Sequence, residues 1–154
     1  MRKAAFDKAY FERYYEREQT RVHGKKEIAR LARGVVGIIG WLGGSIESVL
    51  DVGAGAGLWR DWFKRHRPQV RYLSTDVSAY ACQRYGHEQR DVSKWRAKER
   101  FDLIVCQGVL PYLDDTAADR AISAVYAAAP FRTLPREFYG EPIRVNFDAS
   151  KACS

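Results

Sequence analysis

Three aspartates stand where short runs end: Asp51 in V-L-D-V, Asp76 in S-T-D-V and Asp91 in Q-R-D-V. The first is followed by Gly53, Gly55 and Gly57, glycines on alternate positions. Glycine there permits a positive φ and lets backbone approach a ligand with no Cβ between them. A helix starting just beyond would also leave its first N–H groups unpaired. A dinucleotide pyrophosphate wants G-x-G-x-x-G or A. Here the third glycine comes one residue early, Leu58 takes its place, and the Asp51 carboxylate opposes a phosphate. A ligand carrying an amino group suits that acid, so the turn reads as a seat for a zwitterionic or cationic ligand, and a nicotinamide dehydrogenase is disfavoured. Asp76 follows the turn by about twenty residues, where a parallel α/β sheet places the acceptor for two ribose hydroxyls. Asp91 can accept from an exocyclic amine such as adenine's, while the next N–H, that of Val92, meets a ring nitrogen.

These positions need a framework. Residues 6–18 carry Phe6, Tyr10, Phe11, Tyr14 and Tyr15 at helical spacing. From Lys25 the pattern Ile28, Leu31, Ala32, Val35, Val36, Ile39, Leu42 is an amphipathic helix stopped by Gly43 and Gly44. Strands are expected at 48–52, 70–75, 88–91 and 101–106, the last apolar enough to be buried on both faces. Helices are expected at 58–66 before Pro68, at 78–85 before Gly86, and from the Asp114-Asp115 cap to about Ala129. Strands alternating with helices imply a mostly parallel sheet covered on both faces. Such a sheet binds its ligands beyond the carboxyl ends of its strands.

The 154 residues give room for one domain with a real core. Apolar residues at 46% and charged residues at 29% describe a globular chain, not a disordered one. Cys82, Cys106 and Cys153 are scattered and lack metal-ligand spacing, which predicts a reduced, cytoplasmic setting and no zinc site. No signal-peptide core stands at the amino terminus, and the longest apolar stretch, 35–42, is too short to span a membrane. The net charge of +7 sits in short clusters with acids nearby. That pattern describes a solvated surface better than a nucleic-acid track.

In order, L-D-V-G-A-G-A-G, T-D-V-S, R-D-V and F-D-L-I-V-C-Q-G-V-L-P-Y-L resemble the motifs of class I S-adenosylmethionine-dependent methyltransferases. The portion from F-D-K-A-Y through R-Y-G is similar to bacterial small-molecule members, and the resemblance covers residues 6–129. It implies a Rossmann-like α/β fold with strand order 3-2-1-4, and 5 where a fifth strand is present. It implies S-adenosyl-L-methionine as cofactor and a small-molecule methyl acceptor. Carried over, Gly53, Ala54 and Gly55 lie along the methionine portion with Asp51 near its amino group. Asp76, followed by Val77, holds the ribose; Asp91 and Val92 read adenine; Gln107 and Gly108, with Val109, line the pocket beside the reacting methyl. The resemblance also divides the chain into amino-terminal helices (1–44), a cofactor-binding core (45–130) and an atypical tail (131–154).

Other residues carry competing readings. The aromatic stripe reads as packing against the sheet or, through Tyr10 and Tyr15, as a lid that touches substrate. Tyr112 follows the fourth strand and is a further substrate candidate; Asp114 beside it is equally a helix cap. His23 and His87 read as bases or, more simply, as exposed loop residues, Cys82 and Cys106 as core, Trp59 and Trp62 as helix packing. No nucleophile–base pair stands out, which suits transfer from an already activated sulfonium, where alignment and exclusion of water do most of the work.

After Pro130 the texture changes, with three of the five prolines falling between Pro130 and Pro142 and only 142–147 passing as a strand. The family places a fifth strand, a helix and a closing hairpin here, so a deletion or a changed reading frame near Ala129 is expected. The fourth strand would then be an uncovered edge prone to self-association. A truncated, catalytically weak or inactive relic that binds the cofactor, or an interaction module, is the alternative function. A nucleic-acid or protein methyltransferase is a third reading.

Overall fold

The computed structural model describes residues 6–17, 19, 20 and 22–129. Four parallel strands form one sheet in the order β3-β2-β1-β4: β1 Ser48–Val52, β2 Arg71–Asp76, β3 Glu88–Gln89 and β4 Leu103–Val105. This is the expected Rossmann-like arrangement. The register pairs Val52 with Thr75, Asp76 with Gln89 and Asp51 with Val105, so all four strands end at the same edge.

β1 is buried at all five positions because it is central and covered on both faces. On one face α2 (Lys25–Trp41) and α3 (Leu58–His66) pack Ile28, Ala32, Trp59, Trp62 and Phe63 against Val49 and Val105. On the other, α5 (Asp115–Ala128) lays Ala121, Ala124 and Ala128 against Leu50, Val52 and Phe101. The small alanines let this helix approach the sheet closely.

Local chemistry sets the helix ends. Asp114 Oδ1 accepts from the Ala117 N–H at 2.9 Å, so Asp114 is the cap of α5. Ser78 caps α4 (Ala79–Tyr85), and Gly86 ends it with φ of 76°. α2 starts where the Glu27 carboxylate accepts from the Gly24 N–H at 2.7 Å.

Three expectations are corrected. The third strand shortens to two residues. β4 shortens to Leu103–Val105, with Leu103 and Ile104 only half-buried, because β4 is the outermost strand among the described residues and lacks a neighbour there. The first helix is one α-turn, α1 (Lys8–Phe11), that widens into a π-helical stretch, Glu12–Glu16. The expected strand at 142–147, Cys153 and the tail lie outside the described residues.

The amino ends of β1 and β4 are stitched by Asp102. Its Oδ2 accepts from the Glu47 and Ser48 N–H groups at 3.0 and 2.9 Å and from the Ser48 hydroxyl at 2.8 Å. Asp102→Ala leaves three donors without this partner and is expected to cost about 2 kcal/mol, partial solvent access limiting the loss. Urea unfolding measures it.

Candidate functional site

The carboxyl edge of the sheet gathers the residues singled out by type and spacing. At the end of β1 the chain turns through Gly53, Gly55 and Gly57, with φ of 68°, 58° and 72°. The Ala54 N–H donates to the Thr75 carbonyl at 2.9 Å, tying the turn to β2. Asp76, at the end of β2 and 7% exposed, completes the tie. Its Oδ2 accepts from the Gly55 N–H at 2.9 Å and its Oδ1 from the Ser78 N–H at 2.8 Å. Each oxygen keeps a further lone pair for a ligand hydroxyl.

A cavity of about 340 Å³ opens above this edge. Gly53, Gly55, Asp76 and Val77 form its floor, Asp91 and Val92 one side, and Gln107 and Gly108 the other. Tyr10, Tyr15 and Tyr112 line it as well. Gln107 is held by its ends: Oε1 accepts from the Trp59 indole at 2.8 Å, and Nε2 lies 3.2 Å from His23 Nε2. The Asp91 Oδ1 accepts from the Ser93 N–H and hydroxyl at 3.0 and 2.7 Å, with Lys94 Nζ 3.4 Å from Oδ2. Burial works to raise this carboxyl's pKa, but the Ser93 and Lys94 donors outweigh it and hold it below the ordinary value.

The aromatic stripe lies over the cavity instead of on a sheet face. Phe11 is buried and stacks with Tyr15 at 5.1 Å. The Tyr15 hydroxyl reaches within 3.0 Å of where a Cβ on Gly55 would stand, so its phenol rests on the bare turn. Tyr10 and Tyr112 join hydroxyls at 2.9 Å across the mouth, with the Phe6 ring edge-on to both. Burial, then the Tyr112 contact, pushes the Tyr10 pKa up, and burial pushes that of Tyr15 to about 12. Both phenols therefore stay protonated at neutral pH and act as hydrogen-bonding groups, not bases.

Two predicted residues do not line the cavity. Ala54 is occupied with its backbone tie to β2. The Asp51 side chain is buried on the side of the sheet that faces α2 and α3, 2% exposed, where its Oδ2 accepts from the Tyr72 hydroxyl at 2.9 Å. Burial pushes its carboxyl up to about 7, against the lowering by Tyr72. The native state thus holds a proton that the unfolded chain has released, so this group's contribution to stability falls as pH rises from about 4 to 7. Asp51→Asn should remove that slope. The difference in unfolding free energy between the two chains should shift by about 2–3 kcal/mol in favour of the variant between pH 5 and 8, read by urea unfolding.

Sequence reasoning misplaced other groups too. His87 is not an exposed loop residue: it is 8% exposed and hydrogen-bonded at both ring nitrogens. Cys82 is a half-buried thiol, whereas Cys106, also half-buried, packs against the core of Leu50, Val52 and Phe101 as expected. It missed Ala117 and Arg120, which turn from α5 to the cavity together with Asp114. Their three-residue spacing on one helix face was the available signal.

A family model described as a methyltransferase domain matches residues 50–129, more than half of the chain. The chain belongs to this methyltransferase domain family. Solved structures share the fold of this methyltransferase domain. DesVI from Streptomyces venezuelae is 18% identical with a TM-score of 0.56, covering 68% of this chain and 48% of its own. CalS10, an amino pentose methyltransferase from Micromonospora echinaspora solved with S-adenosylmethionine bound, is 19% identical with a TM-score of 0.55, covering 67% and 47%. The N-methyltransferase NodS from Bradyrhizobium japonicum, in complex with S-adenosylhomocysteine, is 23% identical with a TM-score of 0.56, covering 79% and 67%. The chain thus spans about half the length of the first two. No curated protein sequence matches it significantly. Among the described residues no helix is long and apolar enough to cross a membrane, and no cluster of His, Cys, Asp and Glu could hold a metal.

Proposed function

We propose that the chain binds S-adenosylmethionine in the cavity at the strand ends and transfers its methyl group to a small-molecule acceptor. The observation that carries this reading is the Asp76 carboxylate, fixed by the Gly55 and Ser78 N–H groups at the cavity floor with lone pairs to spare. The residues present fit the cofactor. A side chain at Gly53 would stand 2.4 Å from Val109 Cγ2, so only a bare backbone fits against this part of the cavity wall. Bound there, the cofactor supplies a methyl already activated by its sulfonium.

The chain's own groups do the rest. Asp76, with Val77 beside it, holds the ribose hydroxyls; Gly53 and Gly55 border the methionine portion; Asp91, Val92 and the backbone at Gln107 and Gly108 flank the base and the reacting end. Asp51 acts from beneath the turn, Ala54 through its tie to β2. Phe6, Tyr10 and Tyr15, from the residues before 45, close the mouth as a lid together with Tyr112 from the segment after β4, exclude water, and offer aromatic faces to positive charge. The amino pentose named for CalS10 and the N-methyl transfer named for NodS support a small acceptor with an amino group. Free Cys82 and Cys106 suit a cytoplasmic setting. Unpaired on its outer side among the described residues, β4 offers an edge for self-association, which light scattering would deny by finding monomer at every concentration.

Calorimetric titration with S-adenosylhomocysteine tests the cofactor reading, and labelled-methyl transfer to amine-bearing small molecules tests turnover. Saturable binding without transfer to any acceptor would reduce the chain to a cofactor-binding module. Absence of binding by folded protein would overturn the proposal.

A further inference from the structure

His87 follows Gly86, the residue that ends α4, and its own N–H donates to the Cys82 carbonyl at 3.2 Å. The helix end therefore fixes where its side chain starts. The ring reaches inward beneath the glycine turn and is 8% exposed. Nε2 lies 3.0 Å from the Gly55 carbonyl oxygen and Nδ1 lies 2.9 Å from Ser74 Oγ. A carbonyl can only accept, so Nε2 carries the proton; Nδ1 is then the acceptor, and the Ser74 hydroxyl donates to it. The turn's carbonyl thus selects the tautomer, and Ser74 of β2 braces the ring at its other nitrogen. Both ends of the Gly55 residue are consequently held: its N–H by Asp76 and its carbonyl by His87. The ring also fills the space beside Gly57, with Cε1 3.3 Å from where a Cβ there would stand.

We propose that His87 is a positioning residue for the cofactor site: its Nε2–H holds the Gly55 carbonyl so that the opposite N–H points at Asp76 and keeps that carboxylate aimed into the cavity. This rests on the reading of the cavity as an S-adenosylmethionine site. Burial lowers the pKa of the imidazole, and the Arg60 guanidinium from α3 adds to that, against the Gly55 hydrogen bond and the carboxylates of Asp76 and Asp61. The neutral donor form therefore persists through the physiological range. Tyr85, its ring 6.1 Å from that of His87, and Cys82, whose carbonyl accepts from the His87 N–H, are further titratable neighbours from α4.

Two polar substitutions separate reach from bulk. His87→Gln places an amide N–H near the position of Nε2 and keeps the donor to Gly55; His87→Asn reaches only as far as Nδ1 and loses it. Native-state amide exchange of Gly55, measured by NMR beside Val49 and Leu50 of β1, reads the clamp directly. Titration with S-adenosylhomocysteine reads its consequence. His87→Asn is expected to lower Gly55 protection and ligand affinity each by about tenfold with β1 protection intact, whereas His87→Gln stays within about threefold of the parent in both. Unchanged Gly55 protection in His87→Asn, or equal losses in the two variants, would overturn the proposal. Should His87→Asn lose β1 protection as well, Ser74→Ala decides. It removes the hydrogen bond that braces the ring at Nδ1 and is expected to lower Gly55 protection about threefold; no change would reject the clamp. A parent chain that binds no S-adenosylhomocysteine, while Gly55 protection still falls in His87→Asn, would overturn the cofactor reading and leave the clamp standing.

Discussion

Asp76→Ala lowers affinity for S-adenosylhomocysteine by about a hundredfold or more in calorimetric titration. Two losses add up in this variant. The ligand's hydroxyls lose a charged acceptor, and hydrogen bonds to charged groups contribute about 1.5–3 kcal/mol each. Two of them correspond to a hundredfold or more in Kd. The Gly55 and Ser78 N–H groups also lose their partner, so the turn that borders the ligand is released at the same time. Asp76→Asn distinguishes the two effects. Its amide keeps one acceptor oxygen, so it retains one of the backbone ties while the charge is gone, and its affinity should fall between parent and alanine variant. Equal affinity in all three chains would remove Asp76 from the site and, with it, the main support for the cofactor reading.

Gly53→Ala destabilises the fold by about 3 kcal/mol, measured by urea unfolding. The position has φ of 68°, where a Cβ costs about 1 kcal/mol from its own backbone. The new methyl would also stand 2.4 Å from Val109 Cγ2, far inside contact distance, with the larger part of the cost coming from that overlap. Because the overlap involves a branch of one side chain, Val109→Ala should recover it. The double variant is therefore expected to retain only the backbone penalty, giving a coupling of about 2 kcal/mol in a double-mutant cycle. No coupling would mean that strain in the turn, not its contact with the loop after β4, makes glycine necessary here.

Both predictions concern positions that could be read from residue type. Gly53 and Asp76 stand out because glycine after an apolar run and an acid at a strand end have few other uses, and their meaning is local. The same holds for helix ends: Asp114, Ser78 and Gly86 act within a few residues of themselves, and the structure has each at a cap. Apolar runs gave the first, second and fourth strands, and alternation with helices gave the polar third and the parallel pairing; the third was expected two residues too long and the fourth three.

What escaped was the destination of side chains whose surroundings come from elsewhere in the chain. His87 looked exposed because its flanks are polar, yet Gly55, 32 residues away, supplies the carbonyl that makes its burial tolerable. Asp51 stands beside the glycines in sequence, but the parallel register brings Tyr72 across from the next strand and its hydroxyl takes the carboxylate. The aromatic stripe announced an amphipathic segment without saying what it would cover. By itself the sequence determined the fold class, the order of the motifs and the bare turn, because these follow from periodicity and from the backbone freedom of single residues. Only the tertiary structure decided which of the chosen side chains share one cavity, since burial and hydrogen-bond partners are set by strands and helices distant along the chain.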